Sequence, residues 1–193
     1  MPLFLIVLTQ IVTDKNMEKI YHRDLEFRLF NGSLSEAEEE DVANLLKFGV
    51  TEDYRVITCY LKPENYKDNF TASQRKKMED IEKAILDIVP KEYAYCNMNQ
   101  VICIHKENRK EGKLDLRKKL EEFQRMIQDQ LKEGKSEYEF LIGVGNKVKG
   151  YHNLKESFAD SKIAIEYIDV IRKIVGDANK SVVDCSKLGF FHI

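Results

Sequence analysis

The chain has 193 residues, of which 43% are hydrophobic and 33% are charged, and this suits one domain of about 150 residues with an appendage. Its 31 basic and 33 acidic residues leave a net charge of -2, which disfavours direct nucleic-acid binding because neutralising phosphates requires a basic excess. The apolar run at residues 3–8 is shorter than the roughly 20 residues that span a bilayer, and it lacks signal-peptide features. We therefore expect a cytoplasmic protein with no membrane association.

Residues 1–32 are predicted to form an N-terminal helix that ends at Gly32, because glycine adopts the left-handed conformation of a helix stop. We interpret this segment as a linker or dimerisation element ahead of a single domain, residues 33–193. An exposed apolar stripe on the helix predicts a homodimer, and the alternative is that the helix folds back onto its own domain. The stripe consists of Phe4, Val7, Leu8, Ile11 and Val12.

Beyond this segment, helical and strand-like patterns alternate. Ser35, with Glu38 three residues later, forms a capping-box pattern and predicts a helix that runs to about Lys47. Met98 and Asn99 separate two runs of strand-forming residues, which predicts a tight hairpin. Further helices are expected at about 71–89, at 114–131 and from 153 onward, and strands at 54–61, 92–97, 100–105, 137–144 and 181–184.

The order of the elements after Gly49 is β-α-β-β-α-β, followed by α-β. A split βαβ unit with a hairpin in its middle is typical of the ferredoxin-like arrangement. We therefore predict an α+β fold, ferredoxin-like or nucleotide-cyclase-like, in which helices pack on one face of an antiparallel sheet.

Four short segments in the C-terminal third form a pattern: FLIGVG at 140–145, LKESF at 154–158, VVD at 182–184 and LGF at 188–190. Their order and spacing resemble the GGDEF-like domain of bacterial transcription regulators of the CdaR/PucR type. Upstream segments, LFNG at 29–32 and FGV at 48–50, resemble the same family, so the resemblance covers nearly the whole chain. One departure is Ser161, where the family often has alanine, an exchange of one small residue for another.

The resemblance implies a non-catalytic sensor and dimerisation domain of a transcription regulator, acting as a cytoplasmic homodimer. In this family a helix-turn-helix domain follows the L-G-[FY] segment. We therefore expect this chain, which ends at Ile193, to be a fragment that reaches DNA only through that further domain. A small-molecule effector is a further expected partner. The middle region of some AraC-type response regulators is similar, and that parent stays an alternative.

Diguanylate cyclases have a fold similar to the one that this resemblance implies, so cyclase activity must be weighed. Those enzymes carry glycines and acids on the central hairpin and a carboxylate near the end of the first strand, where they hold two divalent metals. Here the hairpin at 96–101 is CNMNQV, and Lys62 stands beside Glu64 at the strand end. We therefore predict no enzyme activity and no catalytic, metal-binding or cofactor-binding residues. A retained pocket for a nucleotide or other anionic effector near Lys62 is the alternative.

Other residues fit structural roles better than chemical ones. Gly143 and Gly145 lack the third glycine of a dinucleotide fingerprint, which favours a strand end that enters a turn. Ser157 follows His152 by five residues with no partner acid, so a packing or helix N-terminal role is expected. Four cysteines without a CxxC pair are expected to be buried free thiols: Cys59, Cys96, Cys103 and Cys185. Four histidines lack metal-ligand spacing: His22, His105, His152 and His192.

Overall fold

The structure, a computed structural model, describes residues 24–25, 27–63, 72–88, 93–97, 99–107, 113–133 and 138–188. The chain forms two compact units, Met1–Lys47 and Phe48–Ile193, which are described separately. The domain boundary expected after residue 32 stays a prediction. The apolar stripe of the N-terminal helix lies outside the described residues. Within the described part, no helix is long and apolar enough to cross a membrane.

In the first unit, a helical segment ends in a turn at Gly32, as the sequence predicts. Helix α1, Glu36–Leu46, begins at the N-cap Ser35 and has the predicted capping box. The Ser35 N–H donates to Glu38 Oε2 at 2.9 Å, which gives one backbone donor at the helix start a partner. The helix ends at Lys47, which is left-handed with φ 58°. Both predicted ends of this helix are thus confirmed.

The second unit contains six strands and four helices among its described residues. The strands are β1 Asp53–Pro63, β2 Tyr93–Asn97, β3 Gln100–Lys106, β4 Tyr138–Val144, β5 Val148–Lys149 and β6 Val182–Asp184. The helices are α2 Ala72–Ile88, α3 Lys113–Glu133, α4 Leu154–Glu166 and α5 Ile168–Val175, with 3-10 turns at Tyr151–Asn153 and Cys185–Lys187. This is the predicted order with two differences: β5 is an addition, and the long helix expected from residue 153 divides at Tyr167.

The strands form one sheet in the order β2-β3-β1-β4-β6, and β5 pairs with the start of β1. Neighbouring strands are antiparallel except β4 and β6, which run parallel with Ile142 opposite Val182. The prediction of an antiparallel sheet is therefore wrong for the last strand. A parallel neighbour requires a crossover connection, and α4 and α5 supply it. The fold is α+β, with helices packed on a mixed sheet.

One face of the sheet, here called the α2–α3 face, carries the larger apolar core. Strand β1 places Ile57, Cys59 and Leu61 there, since alternate residues of a strand point to the same side. Phe123 of α3 packs edge-on against Phe140 of β4, with ring centroids 5.7 Å apart. The other buried members are Met78, Ile81, Ile85, Val101, Cys103, Leu120, Ile127, Leu131, Ile142, Val144 and Val182.

The opposite face, here called the α4–α5 face, has a smaller apolar cluster. Its buried members are Leu141, Ala164, Ile168, Ile171, Val183 and Cys185. Helices therefore cover both faces, and the prediction that they lie on one face is wrong. Because α2 and α3 already cover the first face, the apolar side of α4 can be buried only against the other one.

Candidate functional site

The contact between β4 and α4 brings together the residues of the C-terminal sequence pattern. A Cβ added at Gly143 would lie 2.0 Å from the carbonyl oxygen of Ser161, and a Cβ added at Gly145 would lie 1.9 Å from that of Ser157. Any side chain at either position would collide with the backbone of α4. The strand end expected at these glycines is confirmed, since β4 ends at Val144, but the close contact with α4 is an additional reason for glycine that the sequence did not predict. Their role is to let the helix approach the strand closely.

Ser157 sits in this contact, fully buried, and its hydroxyl joins two elements. The N–H of Val56 in β1 donates to Ser157 Oγ at 2.9 Å, and Ser157 Oγ donates to the carbonyl oxygen of Asn146 at 2.7 Å. The packing role predicted for this serine is confirmed. A buried N–H without a partner is costly, so the hydroxyl also satisfies a strand donor.

Ser161 is the position at which the resembled family often has alanine, and here its hydroxyl has partners. Its Oγ lies 2.6 Å from Thr58 Oγ1 and donates to the carbonyl oxygen of Phe158 at 2.8 Å. Because a hydroxyl has one proton, Thr58 is the donor in the shared bond. Thr58 is itself fully buried. An alanine at 161 would remove the acceptor that Thr58 uses, so the serine is more than a small space-filling residue.

An open cleft of about 460 Å³ lies beside this contact, between β1 and the helices α4 and α5. Three alternate residues of β1, Thr58, Tyr60 and Lys62, line one wall, together with Gln100 of β3, which pairs with Tyr60. The helices supply the other wall through Lys162, Ile165, Glu166 and Asp169.

The β2–β3 hairpin is held against the end of β1, which brings Gln100 into the cleft that Lys62 lines. The N–H of Leu61 donates to the carbonyl oxygen of Asn99 at 2.9 Å, and Asn99 Nδ2 donates to the carbonyl oxygen of Leu61 at 3.4 Å. These bonds place Gln100 of the hairpin beside the strand end that carries Lys62. Glu64, the carboxylate weighed in the sequence, lies outside the described residues.

The charged groups of the cleft contact one another. Lys62 Nζ lies 3.2 Å from Asp169 Oδ2, and Arg172 Nη1 lies 3.2 Å from Asp169 Oδ1. The hydrogen bond from Lys62, aided by the charge of Arg172, lowers the pKa of the Asp169 carboxyl. Lys162 Nζ lies 4.4 Å from the centroid of the Phe158 ring, a cation–π contact. Because exposed ion pairs are weak, a ligand with an acid group can compete with Asp169 for the ammonium group of Lys62. The ammonium group of Lys162 lines the same cleft.

A second polar cluster, which was not predicted from the sequence, surrounds Arg55 near the start of β1. The side chain is only 4% exposed. Its Nε donates to Glu107, and its Nη1 donates to the carbonyl oxygen of Gly145 at 3.1 Å and lies 3.5 Å from Asp184 Oδ1. The cluster ties β1 to the ends of β4 and β6. An arginine inside an apolar strand was a signal for it, because a buried guanidinium requires partners.

All four cysteines are free, and Cys59, Cys103 and Cys185 are buried as predicted, whereas Cys96 is half-buried. Cys96 lies opposite Val101, the pairing that the predicted tight hairpin requires. Burial raises the pKa of the Cys59 thiol well above its usual range and contributes most to raising that of Cys185 to about 11. Both thiols are therefore protonated near neutral pH, the form with little nucleophilic reactivity.

Neither of the two histidines that the structure describes lines the cleft. His105 is buried in β3 and His152 is exposed at the turn before α4, whereas His22 and His192 lie outside the described residues. In the part of the chain that the structure describes, no group of three or more His, Cys, Asp or Glu side chains could hold a metal ion.

Comparisons of the chain with models of known protein families and with curated protein sequences found no match. The resemblance to the GGDEF-like domain of CdaR/PucR-type regulators therefore rests on the sequence pattern alone. Its consequences for function are accordingly a proposal, which the contacts described above make testable.

Proposed function

We propose that this chain is a non-catalytic sensor and dimerisation domain of a CdaR/PucR-type transcription regulator, with a ferredoxin-like or cyclase-like fold. The observation that carries the proposal is the β4–α4 contact. Gly143 faces the backbone of Ser161 there, and Gly145 faces that of Ser157. Two segments of the family-like pattern thus meet at one point. The close approach of strand and helix is one physical reason for the residue types and the spacing of both segments. This common reason supports the interpretation of the pattern as a family feature.

The strand order also supports the proposal. The order β2-β3-β1-β4 is the one that a split βαβ unit with a central hairpin produces, and α2 and α3 lie together on one face of it. The last α-β unit extends this sheet by β6, at the VVD segment of the pattern.

A non-catalytic role is supported by the groups at the strand end and hairpin. Lys62 lies at the end of β1, where cyclases of similar fold carry a metal ligand, and its ammonium group contacts Asp169. Gln100 supplies an amide from the hairpin, where those enzymes have acids. Divalent cations prefer carboxylate oxygens, whereas ammonium and amide groups suit anions and polar ligands.

An assay for cyclase activity tests the non-catalytic part. Incubation of the chain with GTP and Mg²⁺ or Mn²⁺ should give no cyclic product. Cyclic dinucleotide that forms with the wild-type chain and disappears with Glu64→Ala would contradict the proposal.

A gel-shift assay tests the DNA part. The chain alone should show no specific binding, because its charges are balanced and the expected reading helix belongs to a following domain. Extending the reading frame beyond Ile193 should add binding. Tight, salt-sensitive binding by this chain alone would contradict the proposal.

A second function, binding of a nucleotide or other anionic effector, is favoured by the cleft that Lys62, Gln100 and Lys162 line. A thermal-shift screen with GTP, ATP and cyclic dinucleotides in Mg²⁺ tests it. A ligand present at about 100 times its dissociation constant should stabilise the fold by roughly 2.7 kcal/mol. Lys162→Gln should reduce the shift, and Lys155→Gln, on the same helix but not in the cleft lining, should preserve it. No shift with any of these compounds would rule out the nucleotide version.

A further inference from the structure

An apolar stripe lies on the exposed side of α4 and α5. Its residues, Ile163, Tyr167, Val170 and Ile174, are 37%, 47%, 43% and 65% exposed. They are separated by four, three and four residues, the spacing that places side chains on one side of a helix. The single residue Tyr167 joins the two helices: its N–H donates to the carbonyl oxygen of Ile163 at 3.0 Å, and its carbonyl oxygen accepts from the N–H of Ile171 at 3.0 Å.

The stripe is separate from the side of the helices that packs on the sheet. Ala164, Ile168 and Ile171 are the buried residues of that side. α5 therefore carries apolar side chains both toward the sheet and toward solvent. Contiguous exposed apolar side chains on a folded unit usually mark an interaction surface.

We propose that the stripe is a self-association surface, on which a second copy of the chain packs its own stripe antiparallel about a two-fold axis. This inference rests on the dimerisation part of the proposed function and assigns that part a surface within Phe48–Ile193. Charge complementarity is the reason for choosing a second copy. Glu166 and Lys173 are exposed and lie seven residues apart, on the same flank of the stripe.

In an antiparallel pair, this flank of one helix faces the same flank of the other. Glu166 of one copy then faces Lys173 of the second copy, and the two-fold axis repeats the ion pair. In a parallel pair, the positions opposite this flank are those of Ala164 and Ile171, which are buried in their own unit. A partner with charges of a single sign would match only one of the two flanking residues.

The expected dimer is weak. A stable interface buries about 800 Å² on each partner, more than four partly exposed side chains supply. Association through the stripe should therefore depend on concentration.

Sedimentation velocity of the full chain, from micromolar to sub-millimolar concentration, tests the proposal. Val170→Lys should raise the dissociation constant about tenfold or more, equivalent to about 1.4 kcal/mol per factor of ten. The control is Met126→Lys, which changes an exposed apolar residue on α3 and should leave association unchanged. Wild-type association that Val170→Lys does not weaken would overturn the proposal, and so would a wild-type chain that is monomeric throughout.

Charge exchange tests the antiparallel geometry. Glu166→Lys and Lys173→Glu should each weaken association several-fold by placing like charges opposite each other. The double variant should restore it, and failure to restore it would overturn the antiparallel pairing.

Variants of the N-terminal segment separate this inference from the broader proposal. If Val7→Lys combined with Ile11→Lys abolishes association while Val170→Lys does not weaken it, the stripe is wrong but the dimerisation role stands. A monomer at every concentration would contradict both. The thermal-shift screen for an effector is independent of either result.

Discussion

The two faces of the sheet use the same strands but are held in different ways. The α2–α3 face is filled mainly by apolar side chains, such as Phe123 against Phe140. The α4–α5 face joins strand and helix through buried hydroxyls and two glycines, and it leaves a charged cleft open beside them. Apolar burial is non-directional, whereas hydrogen bonds and close backbone contacts require particular residues. We therefore expect the first face to contribute most to stability, whereas the second carries the residues of the C-terminal sequence pattern and the charged cleft.

The largest expected effect comes from removing a ring on the α2–α3 face. Phe140→Ala should lower the free energy of unfolding by about 4 kcal/mol, because it removes a fully buried ring and leaves a cavity. Urea unfolding followed by circular dichroism measures the loss. Phe140→Leu is the conservative control and should cost about 1–1.5 kcal/mol. A loss for the alanine variant as small as for the leucine variant would mean that this face is not the main source of stability.

A single methyl group should have a nearly comparable effect on the other face. Gly145→Ala places a Cβ against the backbone of Ser157, so strand and helix must move apart, at a cost of about 2–3 kcal/mol. The matched control is Gly176→Ala, where φ is 70° but the added Cβ meets open space, and a cost of about 1 kcal/mol is expected. A loss for Gly145→Ala no larger than that for Gly176→Ala would show that the close approach of α4 does not select glycine at 145.

The sequence predicted the local elements of this fold well because their signals are short-range. The cap at Ser35 and the hairpin register at Cys96 each depend on residues within a few positions. The sheet face that the last helix covers was not predictable in this way, because it depends on which face α2 and α3 already occupy.

The candidate site was predictable only in part. Lys62 stood out because of its position at a strand end, and it does line a cleft, whereas Gln100, which lines the same cleft, was not singled out from the sequence. The partners of Arg55, by contrast, lie 52 and 129 residues away in the chain, and several acids could have filled those roles. A glycine in a sequence likewise does not show whether it is required for a positive φ or for space, and Gly145 turned out to be the second case.

An intermediate effect is expected from the hydroxyl that joins the two layers of the α4–α5 face. Ser157→Ala should destabilise the fold by about 1–2 kcal/mol, because the buried N–H of Val56 loses its acceptor. Amide hydrogen exchange at Val56 should accelerate in this variant. Ser161→Ala is the comparison, since it removes the acceptor of the Thr58 hydroxyl but keeps the bond from Val56 N–H to Ser157, so exchange at Val56 should not change. Unchanged exchange at Val56 in the Ser157 variant would contradict the assigned bond.

The smallest expected effect is electrostatic and concerns Asp169 at the edge of the cleft. Its pKa is lowered in the folded state, chiefly by the hydrogen bond from Lys62, so its contribution to stability is present above the unfolded pKa of about 4 and is lost as pH falls through the folded pKa. The Asp169 side chain is 62% exposed, so the contribution at neutral pH should be well below 1 kcal/mol and should shrink in high salt. Comparing unfolding free energies of the wild type and Asp169→Asn between about pH 7 and pH 3 should show a gap that closes on acidification. Asp129→Asn, on the exposed side of α3, is the control for a general loss of negative charge.

Asp169→Asn also releases Lys62 from its partner, so any anionic ligand of the cleft should bind this variant more tightly. A gap that does not change with pH would contradict the ion pair, and an unchanged or weaker affinity for such a ligand would argue that Lys62 is not part of its binding site.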